Sequence, residues 1–510
     1  MPGATRLTKE TTRIARGATA VFSGSMFSNI LTFVFYIVIT HMLPLNSLGV
    51  LYTLNVVGSF ASTFLLLQLP GGFSRFIVGY FQTGRLAEAR YLFRKGVLFA
   101  TLISAVSAPV MVLMAPFITK LLFGAPSYLS LFYLVVADFV LSTYISFLSV
   151  VVGARRIFGR GSLVGVVSTV SRIGLAIILI FLGFGLISVL FGWIASDIVS
   201  LVAYAHFSRV LWKGETVRSS LKDVVTYSIP FFIAGGLVVV LQNVDRLFVL
   251  RFLGTISLGV YGTLLVAASI PKVLPNSLSG TLLPAMVKLE EEKQLTKGVV
   301  TKAVRYMAII NLPVLGLVAA VGGPLVNVFL GRSFYHAWPS FSILVFGSGA
   351  MSLDIPITQV LLAKKVTKYL AVQQIVSSAT LAFFAVLLIP RFYLDGAALA
   401  YVCARIAGFV VVGSAVYRLG LFSVRWRDYA SSMIVSCSMV ATTLGVERYT
   451  SFSPLLLPLY LMIGALTGII VAKISGLLRA NDYQEIVDFF PRQLRRFVAY
   501  IWKMFGFPYQ

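Results

Sequence analysis

The chain has 510 residues, 58% of them hydrophobic and only 12% charged, and its 42 Lys and Arg against 17 Asp and Glu leave a formal net charge of +25. Soluble domains carry about 25% charged residues, so this composition, with a mean hydropathy of +0.93, excludes a water-soluble enzyme or binding domain. Apolar stretches of about 20 residues recur along the whole length, each long enough to cross a hydrocarbon core of about 30 Å, and the chain reads as an all-α polytopic membrane protein.

The first 17 residues are basic and polar. The apolar segment after them is too long for the core of a signal peptide, so no cleavable leader is expected. Spans are then predicted at 18–41, 46–69, 97–117, 129–152, 162–182 and 186–209, and again at 225–250, 256–283, 303–329, 338–362, 370–390 and 396–418. Two more, at 428–446 and 454–474, bring the expected number to about fourteen. Trp212, Trp338, Trp426 and Trp502 fall at span ends or in short flanks, the positions of an interfacial aromatic belt. The loop at 284–302, with Glu290, Glu291 and Glu292 among lysines, reads as a short solvated amphipathic helix. After Lys473, Phe490, Leu494, Phe497, Val498, Ile501 and Phe505 recur at helical spacing beside Arg492, Arg495, Arg496 and Lys503, the pattern of a helix lying on a membrane surface.

The chain repeats itself. HMLPLNSLGVLYTL at 41–54 returns as RFLGTISLGVYGTL at 251–264, with Leu43/Leu253, Ser47/Ser257, Leu48/Leu258, Gly49/Gly259, Val50/Val260, Thr53/Thr263 and Leu54/Leu264 identical. Ala154-Arg155-Arg156 answers Ala363-Lys364-Lys365, and Pro116–Gly124 answers Pro324–Gly331, at a similar offset and in the same order. A long fixed offset marks one unit used twice. The expected organisation is a six-helix bundle with a basic N-terminus at 1–209, a second bundle at 225–418, an appended helix pair at 428–474 and an amphipathic tail at 475–510. Six crossings return each repeat to the side it started from, so the two repeats are parallel and related by an axis along the membrane normal.

With the N-terminus inside, 33 of the 42 Lys and Arg fall in inner segments, counting residues at inner span ends with the adjoining segment; five lie in outer loops and four within spans. This is the positive-inside pattern. The basic balance therefore encodes orientation and contact with anionic lipid headgroups, not nucleic-acid binding, and both termini are expected on the cytoplasmic face of the cell membrane. Cys403 and Cys437 sit in predicted spans and His41, His206 and His336 are scattered, so no metal site, disulfide or cofactor is expected. Gly183-Phe184-Gly185 follows no strand and reads as a turn, not a phosphate loop.

Asp245-Arg246-Leu247-Phe248-Val249, leading into Phe252-Leu253-Gly254 and Ser257–Tyr261, together with Leu43, Pro44 and Leu48-Gly49-Val50 after the first span, resembles the polysaccharide-biosynthesis flippases of the multidrug/oligosaccharidyl-lipid/polysaccharide exporter superfamily. The resemblance covers the first twelve spans. It implies two six-helix bundles around a central cavity, alternating access, and export of a polyprenyl-phosphate-linked glycan from the inner to the outer leaflet. The substrate would be a lipid-linked glycan, with membrane lipids around a monomer and glycan-assembly enzymes as candidate partners.

Charges inside spans are costly, about 2.5–3.5 kcal/mol each at mid-membrane on insertion scales, so they face protein or a wet cavity. Arg172, Lys272 and Arg405 are the candidate cations for a phosphate or pyrophosphate headgroup, with Arg246 nearer the outer end beside Asp245. Pro271 and Pro275 flank Lys272 and mark a kink or hinge. Asp138, Asp197 and Asp354 are the candidates for ion coupling, because desolvation disfavours a carboxylate's charged form and favours exchange of a proton or cation. The four span cations balance four span acids, so each also has a purely structural reading as half of an ion pair, Arg172 with Asp197 for instance. Arg75, after Gly71-Gly72, reads as a gate residue or an interfacial anchor.

Other readings remain open. A multidrug/cation antiporter of the same superfamily would favour a site of acids and aromatics. A membrane-embedded glycosyltransferase or polymerase would need a large outer loop or an outer carboxylate motif, whereas the predicted outer loops are short and carry Asp395 and Glu447 as their acids. The expectation is therefore a transporter and not an enzyme.

Overall fold

The computed structural model describes residues 23–124, 128–272, 275, 282–283, 286–287, 289–293, 297–423, 426–450, 454–477 and 482. The basic segment 1–17, the expected tail helix around Phe490–Phe505, Trp502, and residues 284–285, 288 and 294–296 of the inner loop lie outside the described residues. Among the described residues there is no strand, and twelve helices are long and apolar enough to cross a membrane. This is a multi-pass, all-helical membrane protein.

In chain order the long helices are α1 (Ser23–Met42), α2 (Leu45–Leu66), α3 (Leu69–Gln82), α4 (Leu86–Phe123), α5 (Leu129–Leu148), α6 (Phe158–Phe181), α7 (Ile187–Phe207), α8 (Leu221–Ala268), α9 (Lys297–Ala320), α10 (Trp338–Ala363), α11 (Lys368–Arg418), α12 (Trp426–Tyr449) and α13 (Leu457–Ile474). Trp338 and Trp426 open helices and Trp212 closes a short one, so each stands at a helix end as expected.

Two helices depart from the predicted spans. The predicted crossing at 97–117 is part of a 38-residue helix, α4. Leu86–Lys95 is rich in Ala, Leu, Arg and Glu, strong helix formers, so the helix runs on after the apolar signal stops. The predicted crossing at 46–69 ends at Leu66, where Leu67 and Gln68 both take left-handed backbone angles (φ 51° and 55°). Pro70, which has no N–H to offer, then sits in the first turn of α3. Arg75 therefore stands inside a second helix and not in a loop.

Two helices fold back on themselves. α8 has 48 residues and is interrupted at Gly254 (φ 81°, ψ −178°), a conformation open to glycine. Across that break the Tyr261 hydroxyl donates to Asp245 Oδ2 at 3.1 Å, over 16 positions that a straight helix would stretch to about 24 Å. α11 has 51 residues and is interrupted at Tyr393 (φ 52°, ψ −127°). A Cβ on its Gly408 would lie 3.3 Å from Gln373 Cγ, a pair that a straight helix would hold about 50 Å apart. Both breaks fall in gaps between predicted spans.

The chain divides into two compact units, Met1–Thr263 and Leu264–Gln510, with the boundary in the second leg of α8. In the first, α5 packs against α4 and α7, α6 packs against α7, and α3 packs against α4. The polar joining segment is fastened to α4. Arg94 donates to the carbonyls of Trp212 (2.6 Å) and Gly214 (2.9 Å), and the Val217 amide donates to Ala87 O (3.3 Å). In the second, α9 packs against α10 and α12, α10 against α11, and α12 against α13. The appended pair α12–α13 seats on α9 through small residues: Gly316 faces Ser436 and Gly464 faces Leu317, the kind of close helix approach that stabilises helices in lipid.

Candidate functional site

The second unit assembles one charged cluster. Tyr401 and Arg405 lie one turn apart on the second leg of α11, so their side chains share a face. The Arg405 guanidinium stands 4.7 Å from the centre of the Tyr401 ring. Lys272 reaches the same residue, donating from Nζ to the Tyr401 hydroxyl at 3.2 Å. A Cβ on Gly347 of α10 would come 2.9 Å from Tyr401 Cδ1, so glycine there makes room for the ring. Opposite, Gln373 donates to Asp354 Oδ2 at 2.9 Å, and Asp354 lies within the electrostatic reach of both Arg405 and Lys272. Two cations thus converge on one phenol, near the Asp354 carboxylate that a neutral amide also holds. Cation–π contact engages the flat face of a guanidinium and leaves its in-plane N–H groups directed elsewhere.

Lys272 stands in a short 3₁₀ turn that follows a regular helix. The helix ends at Ala268 and Ile270–Lys272 form one 3₁₀ turn, closed by Lys272 N donating to Ser269 O at 3.0 Å. Pro271 supplies no N–H to a helical ladder, which suits it to the 3₁₀ turn after the helix end. Pro275 is buried, but the residues on both sides of it lie outside the described residues.

The first unit assembles another cluster. Asp138 on α5, Arg172 on α6 and Asp197 on α7 lie within one another's electrostatic reach. Trp193, one turn before Asp197, places its ring 5.8 Å from the Arg172 guanidinium carbon. A Cβ on Gly192 would lie 2.5 Å from the Arg172 carbonyl oxygen, so α6 and α7 approach closely beside the cluster. The ion pair between Arg172 and Asp197 that their spacing suggests is not formed. Arg172 Nε, Trp193 Nε1 and Asp197 Oδ2 are instead buried with no hydrogen-bond partner. Buried polar atoms are almost always satisfied, so three orphaned ones from neighbouring side chains set this cluster apart.

Near Gly254 the two copies of the repeated motif meet. Gly259 lies against Leu45 and Gly49, and Gly49 lies against Thr255. Thr53 and Thr263 each return a hydrogen bond to the carbonyl of their motif glycine, at 2.9 and 2.8 Å. Asp245 is buried, accepting from Tyr261 and from the Arg246 amide, while the Arg246 guanidinium donates to Asn243 Oδ1 at 3.1 Å. Within the first unit, Arg246 thus braces this packed corner. Nearer the start of α8, Gly72 of α3 faces Ser228 and Val224, and the Arg75 guanidinium lies 4.7 Å over the Tyr227 ring.

Sequence reasoning missed Tyr401, Gln373 and Trp193. Tyr401 and Trp193 each precede a charged span residue by four positions on the same helix, a spacing that could have flagged them. It also missed a fully buried ion cluster. Arg305 on α9 makes a forked contact to Asp482 (2.7 and 2.8 Å) and stands 3.2 Å from Asp428 at the start of α12.

The model of the family described as "Polysaccharide biosynthesis protein" matches residues 38–339. No curated protein gives a significant sequence match. Among solved structures, the chain is similar to the lipid II flippase MurJ in its inward closed conformation, with a TM-score of 0.67 and 14% identity over 91% of this chain and 99% of that one. It is similar also to a point mutant of the Vibrio cholerae MATE transporter VcmN, with a TM-score of 0.57 and 16% identity over 80% of this chain and 99% of that one. A third likeness, with a TM-score of 0.50 and 13% identity over 80% of this chain and 96% of that one, is to a superfamily transporter from Pyrococcus furiosus whose binding pocket is described as reversed in polarity. At these identities the structures speak to the fold alone, which this chain shares with these transporters.

Proposed function

The chain belongs to the polysaccharide biosynthesis protein family, and from that premise we propose that it is a transporter that flips a polyprenyl-(pyro)phosphate-linked oligosaccharide from the inner to the outer leaflet by alternating access. The observation that carries this reading is the convergence of Lys272 and Arg405 on Tyr401. Fixed cations in a low-dielectric setting are what an anionic lipid headgroup needs to leave water. In this reading each leg of α8 and α11 is one crossing, which gives fourteen, arranged as two parallel six-helix repeats and an added pair. Both termini are cytoplasmic and the membrane is the cell membrane.

The two clusters then occupy corresponding spans, four to six in the first repeat and ten to twelve in the second, with Lys272 added from span eight. Among the described residues their balance is opposite: Asp138 and Asp197 around Arg172 against Lys272 and Arg405 near Asp354. We assign the anionic headgroup to Lys272 and Arg405, and ion coupling to Asp138 and Asp197 with Arg172 as their internal counter-charge. The orphaned Asp197 oxygen supports that assignment.

The same acidic cluster favours a second reading, a cation or drug antiporter, which the likeness to MATE transporters also supports. Reconstituted protein separates the two. The flippase reading expects inward-to-outward movement of a fluorescent polyprenyl-diphosphate-linked sugar and no accumulation of an organic cation such as ethidium; the opposite pattern overturns it.

A further inference from the structure

α3 carries a cavity of about 680 Å³ on the flank that ends in Arg85. Its walls include Ser74, Arg75, Phe76, Tyr80, Thr83 and Arg85. Each guanidinium is held by a ring: Arg75 lies 4.7 Å over Tyr227 and Arg85 lies 4.5 Å over Tyr80. The rings are themselves anchored. Tyr80 accepts a hydrogen bond from the Ser219 hydroxyl at 3.1 Å, and Tyr227 packs edge-on to Phe76. Stacking takes the face of a guanidinium and leaves the in-plane N–H groups free to bond. Arg85 spends one of them on Glu88 at 3.0 Å. Arg75 is exposed and makes neither a hydrogen bond nor an ion pair among the described residues. Nothing stands within 4 Å of a Cβ built on Gly79, so the wall between the two arginines is open.

We propose that this cavity is a docking site for the diphosphate headgroup of an isoprenoid lipid in the inner leaflet. The chemistry matches in three respects. Two pre-oriented guanidiniums suit two phosphoryl groups, which arginine binds through paired hydrogen bonds. Phe76 and Val78 give an apolar wall where the first isoprene units would begin. The pocket is open over Gly79, so a headgroup can enter it from the surface. The inference rests on the flippase reading and adds a first stop for the headgroup before Lys272 and Arg405. The site lies at the helix ends where the arginines gather, which is the inner face in the proposed orientation.

The test is equilibrium binding of farnesyl diphosphate to the full chain in phosphatidylcholine nanodiscs. In a Lys272→Gln/Arg405→Gln background the probe still binds, and adding Arg75→Gln or Arg85→Gln raises its Kd about tenfold. Ser74→Glu, which sets an acid beside Arg75, does the same without removing either arginine, and unchanged melting temperatures show that the variants fold. Farnesol does not compete. If these variants leave Kd within twofold of their background while the wild type binds the probe, the docking site is wrong and the flippase reading stands. If inorganic pyrophosphate competes as tightly as farnesyl diphosphate, the cavity takes a soluble diphosphate and the lipid assignment is overturned. A wild-type protein that binds no farnesyl diphosphate overturns the diphosphate-lipid reading and this site together.

Discussion

Gly49 and Gly259, the same residue of the two repeated motifs, pack directly on each other. A Cβ on Gly259 would stand 2.8 Å from the Gly49 nitrogen and 3.3 Å from its Cα. The hydrogen bonds around them match as well, Thr53 to Gly49 O at 2.9 Å and Thr263 to Gly259 O at 2.8 Å. The most recognisable residues of the two similar motifs thus form the contact between α2 and the second leg of α8.

Substituting either glycine should be costly because the obstructing atoms are backbone and cannot rotate away. Gly49→Ala and Gly259→Ala are each expected to lower stability by about 1–3 kcal/mol, the usual range for overpacking. Gly165→Ala and Gly174→Ala, where nothing lies within 4 Å of the new Cβ, are expected to leave the melting temperature in detergent unchanged. Equal losses at all four positions would contradict the contact.

Arg305 offers a second stability test. Its side chain is 5% exposed and is shared by Asp482 and Asp428. Removing one member of a buried ion cluster strands the others, at a cost of about 3–5 kcal/mol. Arg305→Ala should therefore melt far below wild type. Arg305→Lys should not recover it, because one ammonium cannot reproduce the fork. Adding Asp428→Asn and Asp482→Asn to Arg305→Ala should restore part of the loss, and a triple variant less stable than the single one would exclude this explanation.

Tyr401 separates two contributions. Tyr401→Phe removes the hydrogen bond from Lys272, worth about 0.5–1.5 kcal/mol, but keeps the ring under Arg405. Its transport rate should fall about three- to tenfold, and Tyr401→Ala should fall further. Identical rates for Phe and Ala would show that the ring contact with Arg405 plays no part.

Asp197→Asn removes charge from the first cluster while preserving shape. In proteoliposomes this variant is expected to move the lipid-linked substrate without responding to an imposed ion gradient that accelerates the wild type. An unaltered gradient response in both Asp197→Asn and Asp138→Asn would remove these residues from coupling.

The crossings were legible because hydropathy reports each apolar run directly. The helices were not equally legible. α4 outlasts its apolar run, and the breaks at Leu67–Gln68 and Tyr393 use left-handed angles that no residue type announces. Arg172, Lys272 and Arg405 stood out because a cation in an apolar span is costly, but their division between two clusters depends on packing. Tyr401 was hidden among the 22 tyrosines of the chain. Arg305 sits at the start of a span, where it reads as an inner-face residue, and its partners are distant in sequence.

Receipt of the anionic headgroup by Lys272 and Arg405 is the step proposed for the second cluster. Its most direct measurement is the flipping of a fluorescent polyprenyl-diphosphate-linked sugar by proteoliposomes carrying Lys272→Gln/Arg405→Gln, with the melting temperature confirming the fold. Losing two charge-assisted contacts of about 1.5 kcal/mol or more each should slow transport at least about a hundredfold. Flipping at the wild-type rate by a folded double variant would contradict the claim.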